Sequence, residues 1–370
     1  MRIAIMGPAY PFRGGIAAFT ERLAQALQDA GHEVKIYTFI FQYPNFLFPG
    51  KTQYSEDPAP EDLDIEAGIH SMNPANWYRV GRRMRLEAFD QIICAFWLPF
   101  FGPCFGTILR QAKTPKTEVI GLIHNMIPHE SRPGDRPFTR YFVKPVDRYI
   151  ALSKSVLEDI DQFDPKAPKA YSPHPLYDHY GDPVDRREAL EWLNLDPTAH
   201  YLLFFGLIRD YKGLDLLIEA FADARFREKD IHLIIAGEYY TDRKPYDEMI
   251  REHPQRERIH QVAAFIPNEE VRYYFSACDL VVQPYRHATQ SGITQIAYHF
   301  NKPMVVTKVG GLPELCPDGK VGYVVEPEPK AIADGILRFF AERQGEKMAQ
   351  AMEEEKKKYS WERLVACLFQ

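Results

Sequence analysis

The chain lacks several features that would classify it at once. Its 370 residues hold only five cysteines: Cys94, Cys104, Cys278, Cys316 and Cys367. No two stand as C-x-x-C and the count is odd. This argues against a disulfide framework and for small buried thiols in a reducing compartment. No apolar run approaches the about 20 residues needed to cross a bilayer. The opening MRIAIMGPAYPF has too short an apolar run for a signal peptide and no A-x-A site, so a cytoplasmic location is expected. G-x-G-x-x-G is absent, which weighs against a nicotinamide oxidoreductase or epimerase. Cations are not in excess: Lys+Arg number 45 against 51 Asp+Glu, for a net charge of -6. Nucleic-acid binding requires clustered positive charge, so no nucleic-acid partner is expected. Low-complexity segments and short internal repeats are also missing.

What is present is ordinary globular composition, 45% hydrophobic and 26% charged, in a chain long enough for two domains. The first residues read as a strand (RIAIMG), a loop with two glycines, and a helix (IAAFTERLAQALQDAG). Phe19, Leu23 and Leu27 recur there at four-residue spacing, and Gly31 suits the helix end. EVKIYTFI follows as a second strand, completing a βαβ opening. QIICAFW, EVIGLIH and RYIALS are short apolar runs, as expected of buried parallel strands. Residues 165–200, rich in proline and tyrosine, read as an interdomain linker. Alternation then resumes with YLLFFG, IHLIIAG, IHQVAAFI, LVVQPY and MVVT as strands. The expected fold class is α/β: two Rossmann-like, doubly wound domains, at 1–175 and 190–354, facing a central cleft. MEEEKKKYSWERLVACLFQ is read as one final helix with a solvated charged face.

Ligands of open α/β sheets bind beyond the carboxyl ends of the strands, so the residues after each strand carry the search for function. After the first strand, Gly14 and Gly15 precede a helix and let backbone amides approach an anion. After YLLFFG, the segment LIRDYKG places Arg209 and Lys212 three apart at a helix start. A planar guanidinium and an ammonium there suit a diphosphate. After LVVQPY comes HATQSGITQ, where Gln290, Ser291, Gly292 and Gln295 form a neutral polar cluster able to offer side-chain donors and amides. After MVVT, Gly310 and Gly311 lead to Glu314, which either accepts from hydroxyls or is a first-turn helix acid. EVIGLIH ends in His124-Asn125, with His129-Glu130 close behind. A strand-end histidine can donate to a sugar hydroxyl or to a developing charge. His124, His129 and Glu130 have no recognised metal-ligand spacing, and no motif requires a divalent metal, so neither metal nor other cofactor is expected.

These motifs occur in a recognisable order. They comprise the glycine pair, Gly206-x-x-Arg209-x-x-Lys212-Gly213, Ala236-Gly237-Glu238, a polar loop leading to Lys302-Pro303-x-Val305-Val306-Thr307, and Gly310-Gly311-x-Pro313-Glu314. The set resembles the retaining family-4 glycosyltransferases of the GT-B fold. It covers essentially the whole chain and is strongest over residues 201–327. The resemblance implies transfer of a sugar from a nucleotide-diphospho-sugar to an acceptor hydroxyl, with retention and without metal. It implies that Arg209 and Lys212 hold the diphosphate and stabilise the leaving group, and that His124 lies near the donor sugar. Gly14, Gly15, Gly206, Glu238, Gln290, Ser291, Gly292, Gln295 and Glu314 would serve the donor. Asn125, His129 and Glu130 would serve a sugar or lipid-linked acceptor on the N-terminal domain. The C-terminal helix, 355–370 with Trp361, would pack back onto that domain. Hinge motion around residues 171–200 would accompany turnover.

One departure stands out. The family pattern places two glutamates, with seven residues between them, ahead of Lys302-Pro303. Here those places fall at Ala288 and Ile296. Gln290 and Gln295 are the nearest polar substitutes. In front-face retention the leaving diphosphate itself takes the acceptor proton, so stabilising its charge is the protein's main task. Glutamine can bond sugar hydroxyls as donor and acceptor. The expected role is cell-surface polysaccharide or glycolipid synthesis; the alternative is a non-catalytic nucleotide-sugar-binding homologue. NWYRVGRRMRLEA, with Arg79, Arg82, Arg83 and Arg85 beside Trp77 and Tyr78, reads either as a solvated helix face or as a peripheral contact with the inner membrane surface.

Overall fold

The computed structural model describes residues 1–44, 52–55, 58–128, 132–288 and 291–370. Its contacts divide the chain into two units: Met1–Pro175 with Ser360–Gln370, and Leu176–Tyr359.

The first unit holds one parallel sheet. In chain order its strands are β1 (Arg2–Met6), β2 (Glu33–Phe41), β3 (Asp64–His70), β4 (Gln91–Phe96), β5 (Glu118–Ile123), β6 (Arg148–Ala151) and β7 (Lys169–Tyr171). They lie in the order β3-β2-β1-β4-β5-β6-β7, so the winding reverses between β1 and β4. The central strands are buried along their length, because helices cover both faces and leave no polar side. The helix Gly15–Asp29 buries Phe19, Leu23 and Leu27 as the spacing predicts. It ends with Gly31 at φ +84°, where the His32 N–H donates to the Leu27 carbonyl and the Gly31 N–H to that of Gln28. This six-to-one, five-to-two pairing needs a left-handed residue, which glycine adopts without a β-carbon penalty.

The second unit repeats the plan with β8 (His200–Phe205), β9 (Ile231–Ala236), β10 (Ile259–Val262), β11 (Leu280–Gln283), β12 (Met304–Thr307) and β13 (Gly322–Val325). The order is β10-β9-β8-β11-β12-β13, all parallel, with the reversal between β8 and β11. Its core is built on Leu202, Phe204, Leu217, Phe221, Leu233 and Ile235.

Two sequence expectations change here. The stretch 165–200 is only partly a connection: the helix Arg186–Trp192 belongs to the second unit, and Trp192 stacks on Tyr273 with ring centroids 4.5 Å apart. The C-terminal run is not one helix. The helix Gly345–Glu355 passes through a 3-10 turn, Lys356–Tyr359, and a new helix, Trp361–Leu368, starts where the Ser360 hydroxyl accepts from the Arg363 N–H. That last helix lies in the first unit, where the Trp361 ring packs 5.1 Å from Phe19 and Arg148 donates to the Leu368 carbonyl. No helix among the described residues is long and apolar enough to cross a membrane.

Candidate functional site

The reversal of strand order in the second unit leaves a crevice outside the carboxyl ends of β8 and β11, the usual ligand position in such sheets. The loop after β8 starts at Gly206, whose φ is +98°. Close contact forces glycine at two further points. A β-carbon on Gly237 would lie 1.9 Å from the Gly206 carbonyl oxygen, and one on Gly213 would lie 2.1 Å from that of Pro284. The Ile208 N–H donates to the Glu238 carbonyl and the Tyr240 N–H to the Ile208 carbonyl, so the loops after β8 and β9 continue side by side. Arg209 then leads into a 3-10 turn, Asp210–Lys212, and the helix Leu214–Phe221 follows.

Arg209 and Lys212 are both half-buried. The Arg209 guanidinium lies 5.3 Å from the Tyr240 ring centroid, and Lys212 Nζ lies 5.7 Å from that of Tyr285. A β-carbon built on Gly206 would sit 3.5 Å from Lys212 Nζ and 2.9 Å from Ile293 Cδ1, so the lysine reaches back to the strand end beside the helix Gly292–His299. Among the described residues neither cation has a carboxylate partner. The adjacent acids are engaged elsewhere. Asp210 accepts from the Thr241 hydroxyl at 2.6 Å and the Tyr246 hydroxyl at 3.3 Å, and Asp215 is bound by Arg286. Burial of the ammonium, then the charge on Arg209, pull the Lys212 pKa down to about 7. Two neighbouring cations held without a counter-charge are costly unless an anion completes them.

After β11 the polar cluster divides in two. Part is internal: the Thr294 hydroxyl donates to Gln283 Oε1 at 3.0 Å, and the Thr307 hydroxyl to the Tyr285 carbonyl at 2.6 Å. Ser291 is buried at the helix start, 3.3 Å from the Tyr285 hydroxyl, and does not cap the helix with its side chain. Gly292 lies under the Tyr177 ring, which a β-carbon would approach to 2.8 Å. Gln295 is fully buried, with neither amide atom hydrogen-bonded among the described residues. Gln290 lies outside the described residues. Ala288 and Ile296 are both buried. A β-carbon on Gly310 would lie 1.4 Å from the Ala288 carbonyl oxygen, so the loop after β12 is packed onto the loop after β11. Glu314 is exposed in the short helix Leu312–Leu315, and Glu238 is buried beyond the end of β9.

In the first unit Gly14 has φ +113° and stands directly before the helix that begins at Gly15. His124 follows β5, and its N–H donates to the Phe96 carbonyl at 2.9 Å. The imidazole is buried edge-on to Phe19 at 4.8 Å, with His174 at 6.3 Å. Desolvation, then the neighbouring His174, lower its pKa to about 3, so it is neutral at working pH. Asn125 is half-buried beside it. His129 and Glu130 lie outside the described residues. The chain carries two Asp-x-Asp triplets, Asp62-Leu63-Asp64 and Asp159-Ile160-Asp161. Among the described residues no group of three or more His, Cys, Asp or Glu is placed to hold a metal ion.

The structure thus gathers Gly206, Arg209, Lys212, Ser291 and Gly292 at one reversal point. Sequence reasoning missed Tyr285, Arg286, Asp215, Tyr240 and Tyr177. Tyr285 ends and Arg286 directly follows the recognised run LVVQPY, which was the available signal; Tyr177 carries none.

Comparison with known proteins identifies the family and the fold. The model of the glycosyl transferases group 1 matches residues 185–359, and that of glycosyltransferase family 4 matches residues 13–170. A glycosyltransferase of Methanocaldococcus jannaschii is 24% identical, covering 99% of this chain and 96% of its own. A GDP-mannose:glycolipid 4-beta-D-mannosyltransferase of Xanthomonas campestris pv. campestris is 27% identical over 55% of this chain and 53% of its own. Anabaena Alr3699/HepE, solved with UDP and glucose, superposes with a TM-score of 0.77 at 16% identity, covering 100% of this chain and 99% of its own. The chain belongs to the family-4, group-1 glycosyltransferases, retaining enzymes of the GT-B fold that use nucleotide-sugars.

Proposed function

We propose that the second unit holds a nucleotide-diphospho-sugar through Arg209 and Lys212, and that the enzyme transfers its sugar to an acceptor hydroxyl in glycolipid or cell-surface polysaccharide synthesis. The pair of cations at the β8–β11 reversal, without a carboxylate partner among the described residues, carries this reading. Arginine offers a planar fork to two phosphate oxygens and lysine a point charge. The amides at Ser291 and Gly292 start a helix on the neighbouring strand and add donors without charge. As the bond from the anomeric carbon to the diphosphate oxygen breaks, negative charge grows on the diphosphate. Groups already fixed beside it stabilise that charge with little reorganisation. The acceptor hydroxyl adds to the same face, and its proton passes to the departing diphosphate, so no protein carboxylate is needed. His124, neutral above about pH 4, serves as a hydrogen-bonding group and not as an acid. The mannosyltransferase and HepE, named with GDP-mannose and with UDP, support a nucleotide-sugar donor and leave the base open.

The test is turnover. UDP-glucose and GDP-mannose are incubated with the protein and a panel of glycolipid acceptors, and released nucleotide diphosphate is measured. Release that depends on acceptor and is lost in Arg209→Ala is the expected result. Absence of binding and release with every nucleotide-diphospho-sugar overturns the reading.

A further inference from the structure

We infer that Tyr285 and Tyr240 are positioning residues of the donor site, the ring of Tyr285 holding Lys212 and that of Tyr240 holding Arg209 without neutralising either cation; this rests on the function proposed above. The two contacts are alike. Lys212 Nζ lies 5.7 Å from the Tyr285 ring centroid, and the Arg209 guanidinium 5.3 Å from that of Tyr240. Both distances fall inside the about 6 Å over which the quadrupole of an aromatic face attracts a cation. Tyr285 stands on the loop after β11 and Tyr240 on the loop after β9, the two strands that flank β8. The turn after β8, which carries both cations, therefore has one ring from each neighbouring loop.

The rings are themselves fixed. Tyr285 is buried; its carbonyl accepts from the Thr307 hydroxyl at 2.6 Å, and its hydroxyl meets Ser291 Oγ at 3.3 Å. The next residue along, Arg286, donates its N–H to the Tyr211 carbonyl at 2.7 Å, which ties this loop to the residue before Lys212. The Tyr240 N–H donates to the Ile208 carbonyl at 2.8 Å, one residue before Arg209. Each ring is thus set by a backbone bond next to the cation that it faces. A carboxylate in the same place would neutralise the cation and occupy the N–H donors that a phosphate needs. An aromatic face stabilises the charge, accepts only weak hydrogen bonds, and leaves those donors open. Lysine and arginine side chains lose much rotamer freedom when they are fixed, and a ring that fixes them before the donor arrives removes part of that cost from binding.

Double-mutant cycles on donor affinity test this, with UDP-glucose and GDP-mannose as probes. Calorimetry is run at pH 6, below the Lys212 pKa of about 7, so that the ammonium is charged. Tyr285→Leu and Tyr240→Leu should each weaken binding by about three- to thirtyfold, the range of a cation–π contact. Tyr285→Phe and Tyr240→Phe keep the ring face and should stay within about twofold of wild type. In a Lys212→Ala background Tyr285→Leu should cost less than about twofold, and so should Tyr240→Leu in an Arg209→Ala background, because each ring then has nothing to hold. The crossed pairs, Tyr285→Leu with Arg209→Ala and Tyr240→Leu with Lys212→Ala, should multiply their separate losses. If Tyr285→Leu does not fold, the half-buried Tyr240 and its cycle with Arg209 still decide. Leucine variants that bind as wild type does, phenylalanine variants that lose as much as leucine ones, or losses undiminished in the alanine backgrounds assign the rings to packing and overturn the inference. A wild type that binds neither probe overturns the donor reading instead.

Discussion

Lys212 supplies the sharpest test, because its proton count should change when the donor binds. In the free protein its pKa is about 7, lowered by burial and then by Arg209. A bound diphosphate favours the ammonium and returns the pKa toward the ordinary value of about 10.4. Binding to the charged form alone multiplies the apparent Kd by 1 + 10^(pH - 7). That factor is about 1.1 at pH 6, about 2 at pH 7 and about 11 at pH 8, a loss of roughly 1.4 kcal/mol across the interval. By the same linkage about half a proton is taken up per donor bound at pH 7, and about 0.9 at pH 8. Isothermal titration calorimetry in two buffers of different ionisation enthalpy reads that uptake directly. A nucleotide-diphospho-sugar is the right ligand, since its diphosphate has no terminal group titrating in this range. Stability of the unliganded protein moves oppositely. The folded pKa is depressed, so the unfolded chain binds more protons between about pH 7 and 10.4, and this group makes stability rise with pH there. Lys212→Arg should flatten the affinity profile, because a guanidinium keeps its charge throughout. A Kd independent of pH from 6 to 9, with no buffer-dependent heat, would refute the assignment.

Three other outcomes follow from the same geometry. Arg209→Ala should lower kcat by about 10²–10³, the size seen when one donor to a developing oxyanion is removed; steady-state nucleotide release measures it, and a change in KM alone would place the arginine in ground-state binding only. Gly310→Ala should destabilise the second unit by about 2 kcal/mol or more, since glycine at φ +49° faces the Ala288 carbonyl with no room for a methyl group; a thermal melt matching wild type would contradict that packing. On the helix Pro74–Glu87, Arg83 is tied to Glu66 and Glu87, while Arg79 and Arg82 are exposed beside Tyr78 and Leu86; charge reversal of Arg79 and Arg82 should reduce flotation with phosphatidylserine vesicles, and unchanged flotation disposes of a membrane contact there.

How much could be read from sequence depended on burial. β1, β4, β5, β8, β9 and β11 lie inside their sheets and are covered on both faces, so they show as apolar runs that admit no other reading. β3, β7 and β13 were not anticipated. Each is an edge strand; DIEAGIH keeps Glu66 for Lys35 and Arg83, and KAY spans only three residues. Arg209 and Lys212 were legible because glycines mark the close approach around them. The partnership of Arg286 with Asp215 was not, because 71 positions separate the two and only the β8–β11 pairing brings them together. The polar cluster was half legible: composition shows neutral hydrogen-bonding groups, but not that Thr294 and Gln295 point inward.

That inward turn changes what the missing glutamates mean. Thr294 serves Gln283, and Gln295 is closed off from solvent, so the described part of the segment does not simply exchange acids for amides facing a sugar. Ala288 and Ile296 are buried, and the Ala288 backbone is packed against Gly310. A carboxylate introduced at either place would enter desolvated surroundings and would have to be paired or protonated there. Asp210 is turned to hydroxyls and Asp215 is held by Arg286, so neither adjacent acid is paired with Arg209 or Lys212. The loss of negative charge after β11 and the sequestering of negative charge after β8 act in the same direction. Together they are what the donor site proposed above, centred on the diphosphate, would require.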